Sequence, residues 1–250
     1  MRQLTSTSVT TLSGAILDPL MASDPAGPRI TYYDDATGER IELSTATLAN
    51  WAAKTANLLR DELGAGPSSR IAVLLPAHWQ SAAVFFGIWW IGAEVVLGDA
   101  SVDSADVALC TADRLAEADE AVGMGSGIGE VAVLSLDPFG KPAADLPVGV
   151  TDYATAVRVH GDQISPERMP GPALNGRGVD EVLAAVRQSA SAQGFTASDR
   201  VLSSAGWDSA DELVDHMLAV FAVGASLVQV ANPDAALADR RRATEKVTKG

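Results

Sequence analysis

The chain has a single cysteine, Cys110, in 250 residues. An intrachain disulfide and any multi-cysteine metal site are therefore excluded, and a reducing cytoplasm is the compartment this usage fits. Histidine is almost as scarce: His78, His160 and His216 stand far apart, and none has the paired spacing of a metal site. Glu212 and His216 are four apart, which makes a ligand pair or a solvated helix contact. Basic residues are also few, 18 Lys and Arg against 32 Asp and Glu, so the net charge is -14. Nucleic acid is not an expected partner, because affinity for a phosphate backbone needs clustered cations. The one basic cluster, Arg240, Arg241, Arg242, Lys246 and Lys249, reads as a solvated helix end or tail.

Long hydrophobic runs are missing too. The stretch Ala82 to Leu97 is broken by Gly87, Gly92 and Glu94 and falls short of the roughly 20 residues of a membrane-spanning helix. The first twenty residues lack the apolar core of an export signal. No membrane partner and no export are expected, and a cytoplasmic location follows. No serine sits in a G-x-S-x-G pattern, which leaves a hydrolase nucleophile elbow unsupported. Cys110 lies in an apolar run and reads as a small core residue rather than a nucleophile.

What is present is a 47% hydrophobic content, enough for a full core. Its plainest expression is Arg70 to Asp99, RIAVLLPAHWQSAAVFFGIWWIGAEVVLGD. Ile71 to Leu75 is a short apolar run closed by Pro76, the pattern of a strand buried on both faces. His78 to Gly92 leaves almost no polar side, and Glu94 to Leu97 is a second apolar run. Strand, helix and parallel strand make a βαβ unit. Trp89 and Trp90 point to different faces of its helix, as core residues or with one of them at a subunit contact.

Elsewhere the same alternation recurs. Residues 12 to 21 read as a short helix, and Ile30 to Tyr33 with Arg40 to Leu43 as a hairpin around DDATGE, forming a lid or an edge. A helix capped by Ser44 or Thr45 carries Leu48, Trp51, Ala52, Thr55, Leu58, Leu59 and Leu63 at three-to-four spacing. Ala105 to Cys110 and Val131 to Leu136 read as strands, with a helix from Thr111 to Ala121 and a glycine-rich link at 123 to 129 between them. That link fits no dinucleotide loop, since no frame gives G-x-G-x-x-G and a strand follows it. Asp137 to Pro172 holds six prolines and reads as irregular, apart from a short helix near Tyr153 to Val159. A helix from Val179 to Gln193, a strand at Arg200 to Ser203, a helix at Ser209 to Val223 and a strand at Ala225 to Val230 complete the pattern. Ser209 and Glu212 form a capping box. The fold class expected is α/β, layered α/β/α with mainly parallel sheets. The organisation expected is an N-terminal α/β subdomain over 1–136, an irregular connection over 137–178, and a second α/β segment with a C-terminal helix or tail over 179–250.

The order of these segments resembles a known family. L-S-T-A-T-L opening a helix at 43 to 48, S-R-I-A-V-L-L-P at 69 to 76 and G-A-E-V-V-L at 92 to 97 resemble the N-terminal region of the adenylate-forming (AMP-binding) enzymes, which include acyl-CoA synthetases. F-T-A-S-D-R-V-L-S-S at 195 to 204, followed by V-G-A-S-L-V at 223 to 228, is similar to the segment after that family's phosphate loop. The resemblance implies an ATP-dependent acid ligase. It also implies a Ser/Thr/Gly-rich loop ending in Lys between the two matches, where this chain has GPALNGRGVDEV, 171 to 182, with no Ser, Thr or Lys.

Asn175, Gly176, Arg177 and Gly178 are thus the candidate remnant of a phosphate loop. Gly171 to Gly178 spans the same stretch as a Walker A pattern, with Arg-Gly in place of Lys-Ser or Lys-Thr. Arg177 at a helix start offers an anion contact through exposed N–H groups. Trp207 and Asp208 stand at the helix that borders the acyl pocket in that family, with Trp207 as a pocket wall or a packed residue. The family's adenine-facing aromatic, ribose-binding carboxylate and C-terminal lysine are not in this chain. The expectation is a non-catalytic relative acting as a binding or partner-interaction module, with no cofactor although ATP or AMP is what the family would bring. The alternative is a residual or split carboxylic-acid-activating enzyme needing a partner chain. A protein partner or a homo-oligomer fits either reading.

Overall fold

The computed structural model describes residues 10–98, 105–123 and 129–250. Asp99 and the glycine-rich residues 124–128 lie outside them. Thr11 accepts the Gly14 N–H at 3.1 Å and starts α1 (Leu12–Ser23). The hairpin follows as β1 (Pro28–Asp34) and β2 (Glu39–Ser44), then α2 (Thr45–Asp61), whose N-cap is Ser44 accepting from Thr47 N–H. The βαβ unit is β3 (Arg70–Leu74), α3 (Trp79–Trp90) and β4 (Glu94–Val96). Next come β5 (Val107–Cys110), α4 (Leu115–Gly123), β6 (Glu130–Val133), the two-residue β7 (Thr151–Asp152) and α5 (Tyr153–Ala156). The chain closes with α6 (Val179–Gln193), β8 (Arg200–Ser203), α7 (Ala210–Leu213), α8 (Ala219–Ala222), β9 (Ser226–Ala231) and α9 (Ala235–Thr244).

Two sheets result, and they confirm the α/β class with mostly parallel strands. One has the order β4-β3-β5-β6-β7 and is parallel throughout. The other has the order β2-β1-β9-β8, parallel except for the hairpin pair β1-β2. The hairpin is not a separate lid. β1 pairs along its length with β9, Ile30 against Leu227 through Asp34 against Ala231, so this sheet takes strands from both ends of the chain. Strand β7 was not legible, since two residues carry no periodicity.

All twelve residues of α3 are buried, and the reason is its position between the sheets. One core joins Ile71, Val73 and Val95 of the five-stranded sheet, through Phe85, Phe86 and Trp89, to Ile30 and Leu227 of the four-stranded one. A second, smaller core under α4 covers the opposite face with Ala72, Leu74, Ala108, Cys110 and Val133. A strand covered on both faces reads as an unbroken apolar run, which is why β3 and β5 were legible. Burying so many aliphatic and aromatic side chains, at roughly 25 cal/mol per Å², is the dominant favourable term. Trp89 and Trp90 are both buried inside the chain, at 1% and 7% exposure, so neither is left for a subunit contact. Trp89 also donates its Nε1–H to the Ala173 carbonyl at 2.7 Å, tying α3 to the segment before α6.

Helices α2 and α3 cross closely at Gly87. A Cβ there would sit 2.9 Å from the Ala52 carbonyl oxygen and 2.9 Å from Thr55 Cβ, so only glycine lets the two backbones approach this far. The helix expected over Ser209 to Val223 is present, but with a wide π turn at Val214–Leu218 between α7 and α8. Such a turn inserts an extra residue into the ladder without ending the helix. Glu212 bends back to the Ser209 N–H and hydroxyl, both at 3.1 Å, so it serves as the cap rather than as a partner for His216.

The basic cluster divides. Arg240 and Arg242 are exposed as expected, but Arg241 is 7% exposed, pairs with Asp35, and lies 4.5 Å over the Tyr33 ring. A solvated helix end describes its neighbours only. Arg241 is turned inward because α9 packs on the outer face of the four-stranded sheet, where Asp35 supplies the opposite charge.

Candidate functional site

Helices that follow parallel strands leave a crevice outside the carboxyl ends of those strands, where a ligand meets main-chain groups and loop side chains together. Here β3 runs into Pro76, β5 into Thr111, β8 into Ser204–Gly206 and β9 into Asn232, all on one side of the molecule. Two clefts open there, of about 450 Å³ and about 780 Å³. Pro76, Ala231 and Asn232 line both, which makes them one groove across the ends of the two sheets.

In the smaller cleft Gln229 is the notable group. It is 1% exposed, sits in the buried strand β9, and donates from Nε2 to the Ala205 carbonyl at 3.0 Å. Its Oε1 has no partner among the described residues. A buried carbonyl oxygen without a donor is costly, on the order of 1–3 kcal/mol, which sets Gln229 apart from the other groups of this wall. Asp208, Thr111 and Arg114 share its wall. Arg114 is occupied by a two-pronged bond to Glu117 at 2.7 and 2.9 Å.

The larger cleft is lined by Tyr32, Glu39, Arg40 and His78. His78 is the N-cap of α3, where its Nδ1 accepts the Gln80 N–H at 3.1 Å. That bond fixes the proton of the neutral ring on Nε2, which faces Glu39 Oε1 at 3.7 Å. The Tyr32 ring meets the imidazole edge-on with centroids 4.3 Å apart. Burial lowers the His78 pKa below its ordinary value, and the Glu39 carboxylate only partly offsets this. The site therefore holds a neutral imidazole near pH 7, able to donate from Nε2. Among the described residues no group of three acidic, cysteine or histidine side chains is arranged to hold a metal ion.

The structure puts the candidate phosphate-loop residues at the edge of β4. Leu174 bridges Val95 in parallel and Arg177 in antiparallel fashion, forming a tight turn against the five-stranded sheet. Asn175 N–H donates to Val95 O at 3.0 Å, Gly176 N–H to Glu94 Oε1 at 2.5 Å, Arg177 N–H to Leu174 O at 2.9 Å and Gly178 N–H to Glu181 Oε2 at 2.8 Å. All four amides are thus committed inside the protein. Asp180 and Glu181 occupy the first turn of α6, so the positive end of that helix already faces carboxylates. Arg177 lies 3.9 Å from Asp211, which brings the turn beside the Trp207 segment. Trp207 itself is fully buried, 6.3 Å from Phe85, and Asp208 alone of that pair opens onto the groove.

His78, Glu39 and Gln229 were not singled out by sequence reasoning as parts of one site. A signal existed for Gln229, a polar residue in the otherwise apolar run SLVQVA. His78 follows a strand-ending proline at a helix start, the position of a cap, and nothing in its spacing marks Glu39 as its neighbour. Cys110 is fully buried, and burial pushes its thiol up to about 12, in keeping with a core residue.

Comparison with known proteins follows this geometry. The AMP-binding enzyme family matches residues 23–118. A Mycobacterium tuberculosis (strain ATCC 25618 / H37Rv) protein described as "TIGR03089 family protein" is 71% identical over 243 residues, covering 97% of this chain and 99% of that one. Among solved structures, a Brucella canis acyl-CoA synthetase superposes with a TM-score of 0.76 at 16% identity over 95% of this chain. The anthranilate CoA ligase AuaEII in complex with anthranoyl-AMP gives 0.68 at 16% identity over 91%. Apo MatB from Rhodopseudomonas palustris gives 0.68 at 15% over 88%. The chain spans 46% of the length of each of the first two and 45% of the third.

Proposed function

The chain belongs to the TIGR03089 family and is related to the AMP-binding enzymes, and we propose that it is a non-catalytic relative of them acting as a cytoplasmic binding or partner-interaction module. One observation carries this reading. In the candidate phosphate-loop stretch, the amides of Asn175, Gly176, Arg177 and Gly178 are all bonded to protein acceptors, and residues 171–182 include no Lys, Ser or Thr. A triphosphate needs free N–H donors and a cation there. The groove at the strand ends, with the unpartnered Gln229 Oε1, is the surface offered to a ligand or a partner. The net charge of -14 argues against nucleic acid as that partner.

Calorimetric titration with ATP and with AMP, each with and without Mg²⁺, tests the reading. No heat of binding is expected, and micromolar affinity dependent on Mg²⁺ overturns it. A second reading is favoured by the same groove. A protein of the same fold, the anthranilate CoA ligase, holds anthranoyl-AMP, and a groove of this size with an orphan acceptor is what a split acid-activating enzyme would keep. ATP–pyrophosphate exchange with a separate chain supplying the remaining half distinguishes the two, since only the split enzyme exchanges.

A further inference from the structure

After β6 the chain makes a turn locked by its own side chains. Asp137 Oδ1 accepts from Phe139 N–H at 2.8 Å and Lys141 N–H at 3.2 Å, and Ser135 Oγ donates to the Lys141 carbonyl at 2.6 Å. Gln80 Nε2 holds the Asp137 carbonyl at 3.1 Å. This fixed turn presents Phe139 at its tip, 84% exposed. A phenyl ring held in water by a rigid turn gains whatever apolar surface covers it.

Behind the turn lies a cavity of about 360 Å³, walled by Trp51, Trp79, Phe139, Tyr153 and Val157. It is set apart from the groove at the strand ends by Pro138 and Phe139, which line both. The polar ends of two of its aromatic walls are engaged outside it. The Tyr153 hydroxyl bonds Thr55 Oγ1 at 2.7 Å, and Trp79 Nε1–H points to Glu39 at 3.4 Å. Ring surface is what remains to the cavity. Trp51 and Trp79 meet edge-to-face with centroids 5.8 Å apart; Trp79 is only 4% exposed and forms the floor, so half-buried Trp51 and exposed Phe139 present the open ring surface.

Two charged side chains line the cavity, Asp137 and Arg158, and Arg158 is the cation. Its Nη2 donates to the Phe139 and Gly140 carbonyls, and it forms no ion pair among the described residues. Its Nε and Nη1 have no bond to any described residue. Gly140, at φ +69, makes room for this placement, because a Cβ there would come within 2.7 Å of Arg158 Nη2. The carboxylate of Asp137 also lines the cavity, but it is engaged by two main-chain N–H groups.

We propose that this cavity is a binding site for a small planar aromatic anion, with the ring packed among Trp51, Trp79 and Phe139 and the negative group on Arg158. The volume is within the range of about 300–1,000 Å³ typical of small-molecule sites. A cationic ligand is disfavoured by Arg158, and a purely aliphatic one leaves the guanidinium unpaired. The proposal does not depend on the reading of the strand-end groove.

The test uses cinnamate, with cinnamyl alcohol and cinnamylammonium as the neutral and cationic probes, in calorimetry and tryptophan fluorescence titrations of the full chain. Cinnamate is expected to bind saturably and more tightly than either analogue. Arg158→Gln is expected to weaken cinnamate about tenfold, the size of one charge-assisted contact, and to leave cinnamyl alcohol unchanged. Phe139→Ala is expected to weaken both. Both substitutions are at exposed positions, and circular dichroism confirms that the variants are folded. Gln229→Leu, in the strand-end groove, is expected to have no effect. Absence of saturable binding at millimolar cinnamate, indifference to both Arg158→Gln and Phe139→Ala, or loss of binding in Gln229→Leu would each overturn the proposal.

Discussion

The Asn175 carboxamide closes a two-way bond with the main chain of Leu97, its Oδ1 accepting the Leu97 N–H at 2.9 Å and its Nδ2 donating to the Leu97 carbonyl at 3.1 Å. The side chain thereby continues the hydrogen-bonding of β4 past its last residue. Asn175 also has φ 45, a left-handed conformation that asparagine tolerates better than most residues. Asn175→Ala loses both bonds and strains the backbone. A destabilisation of about 2–3 kcal/mol is expected in urea unfolding. Asn175→Gly, which relieves the strain, should cost less than Asn175→Ala. Equal stability of all three proteins would show that the contact is incidental.

His78 gives the protein a pH dependence of stability on the mildly acidic side. Its folded pKa lies below the unfolded value of 6.5 because burial penalises the imidazolium. The unfolded chain therefore binds the extra proton first. Stability is complete above pH 6.5 and is lost as pH falls from there through the depressed folded pKa. His78→Asn keeps a cap acceptor for Gln80 N–H but removes the titration. Its unfolding free energy should be flatter than that of the parent between pH 7.5 and 5, compared at matched temperatures.

Glu245 contributes in a lower window. Burial alone would raise its carboxyl, but hydrogen bonds from Tyr33, Arg200 and Arg40 outweigh that and hold it below the ordinary carboxylate value of 4.5. Its contribution is complete above that value and disappears as pH falls through the lowered folded one. Glu245→Gln removes the charge while keeping the shape, leaving Arg200, at 15% side-chain exposure, with only the more distant Glu42 carboxylate at 3.5 Å. A loss of about 2 kcal/mol at neutral pH is expected. The deficit relative to the parent should shrink on going from pH 7 to 3.

Cys110 should be silent in the native protein. Its thiol is fully buried and raised to about 12, so neither access nor thiolate is available near pH 8. Reaction with a disulfide reagent should be undetectable in buffer and stoichiometric in urea. Prompt labelling of the folded protein would contradict the packing of β5 under α4.

Trp89→Phe separates packing from hydrogen bonding in the central helix. It removes the indole N–H that Ala173 O accepts and leaves part of a fully buried volume empty. A cost of about 2 kcal/mol is expected from the cavity and the lost hydrogen bond together, since the Ala173 carbonyl keeps the Val95 N–H at 3.0 Å. Thermal unfolding followed by calorimetry gives the value.

The fold was legible where burial leaves a one-dimensional trace. Ile71 to Leu75 and Val107 to Cys110 are apolar on every residue because both faces of those strands are covered. The helix from Val179 to about Gln193 was legible, and the structure shows it bounded by Gly178 and Gly194. The pairing of β1 with β9 was not, because nothing in Ile30 or Leu227 specifies a partner two hundred residues away. The candidate site was legible in part. GPALNGRG was singled out by its glycines and its place between the two family-like segments, but the bonds that pin it to Glu94, Val95 and Leu97 depend on side-chain placement across some eighty positions. His78 meets Glu39 for the same kind of reason, through the hairpin that folds back over α3. Arg241 illustrates the limit of charge runs as a guide: three arginines in a row on a helix must point three ways.

The bridges at Leu174 and Lys249 have a bearing on how the molecule behaves in a crowd. Leu174 lies along Val95 on the outer side of β4, and Lys249 lies along Val201 on the outer side of β8, with Leu202 N–H donating to Lys249 O at 2.9 Å. Each sheet therefore has one margin where an irregular segment of the same chain already takes up main-chain groups that would otherwise recruit a strand from a second molecule. The turn around Leu174 and residues 247–250 thus act as guards against edge-to-edge aggregation. Removing residues 246–250 should uncover the β8 margin and raise the tendency of the protein to self-associate on warming.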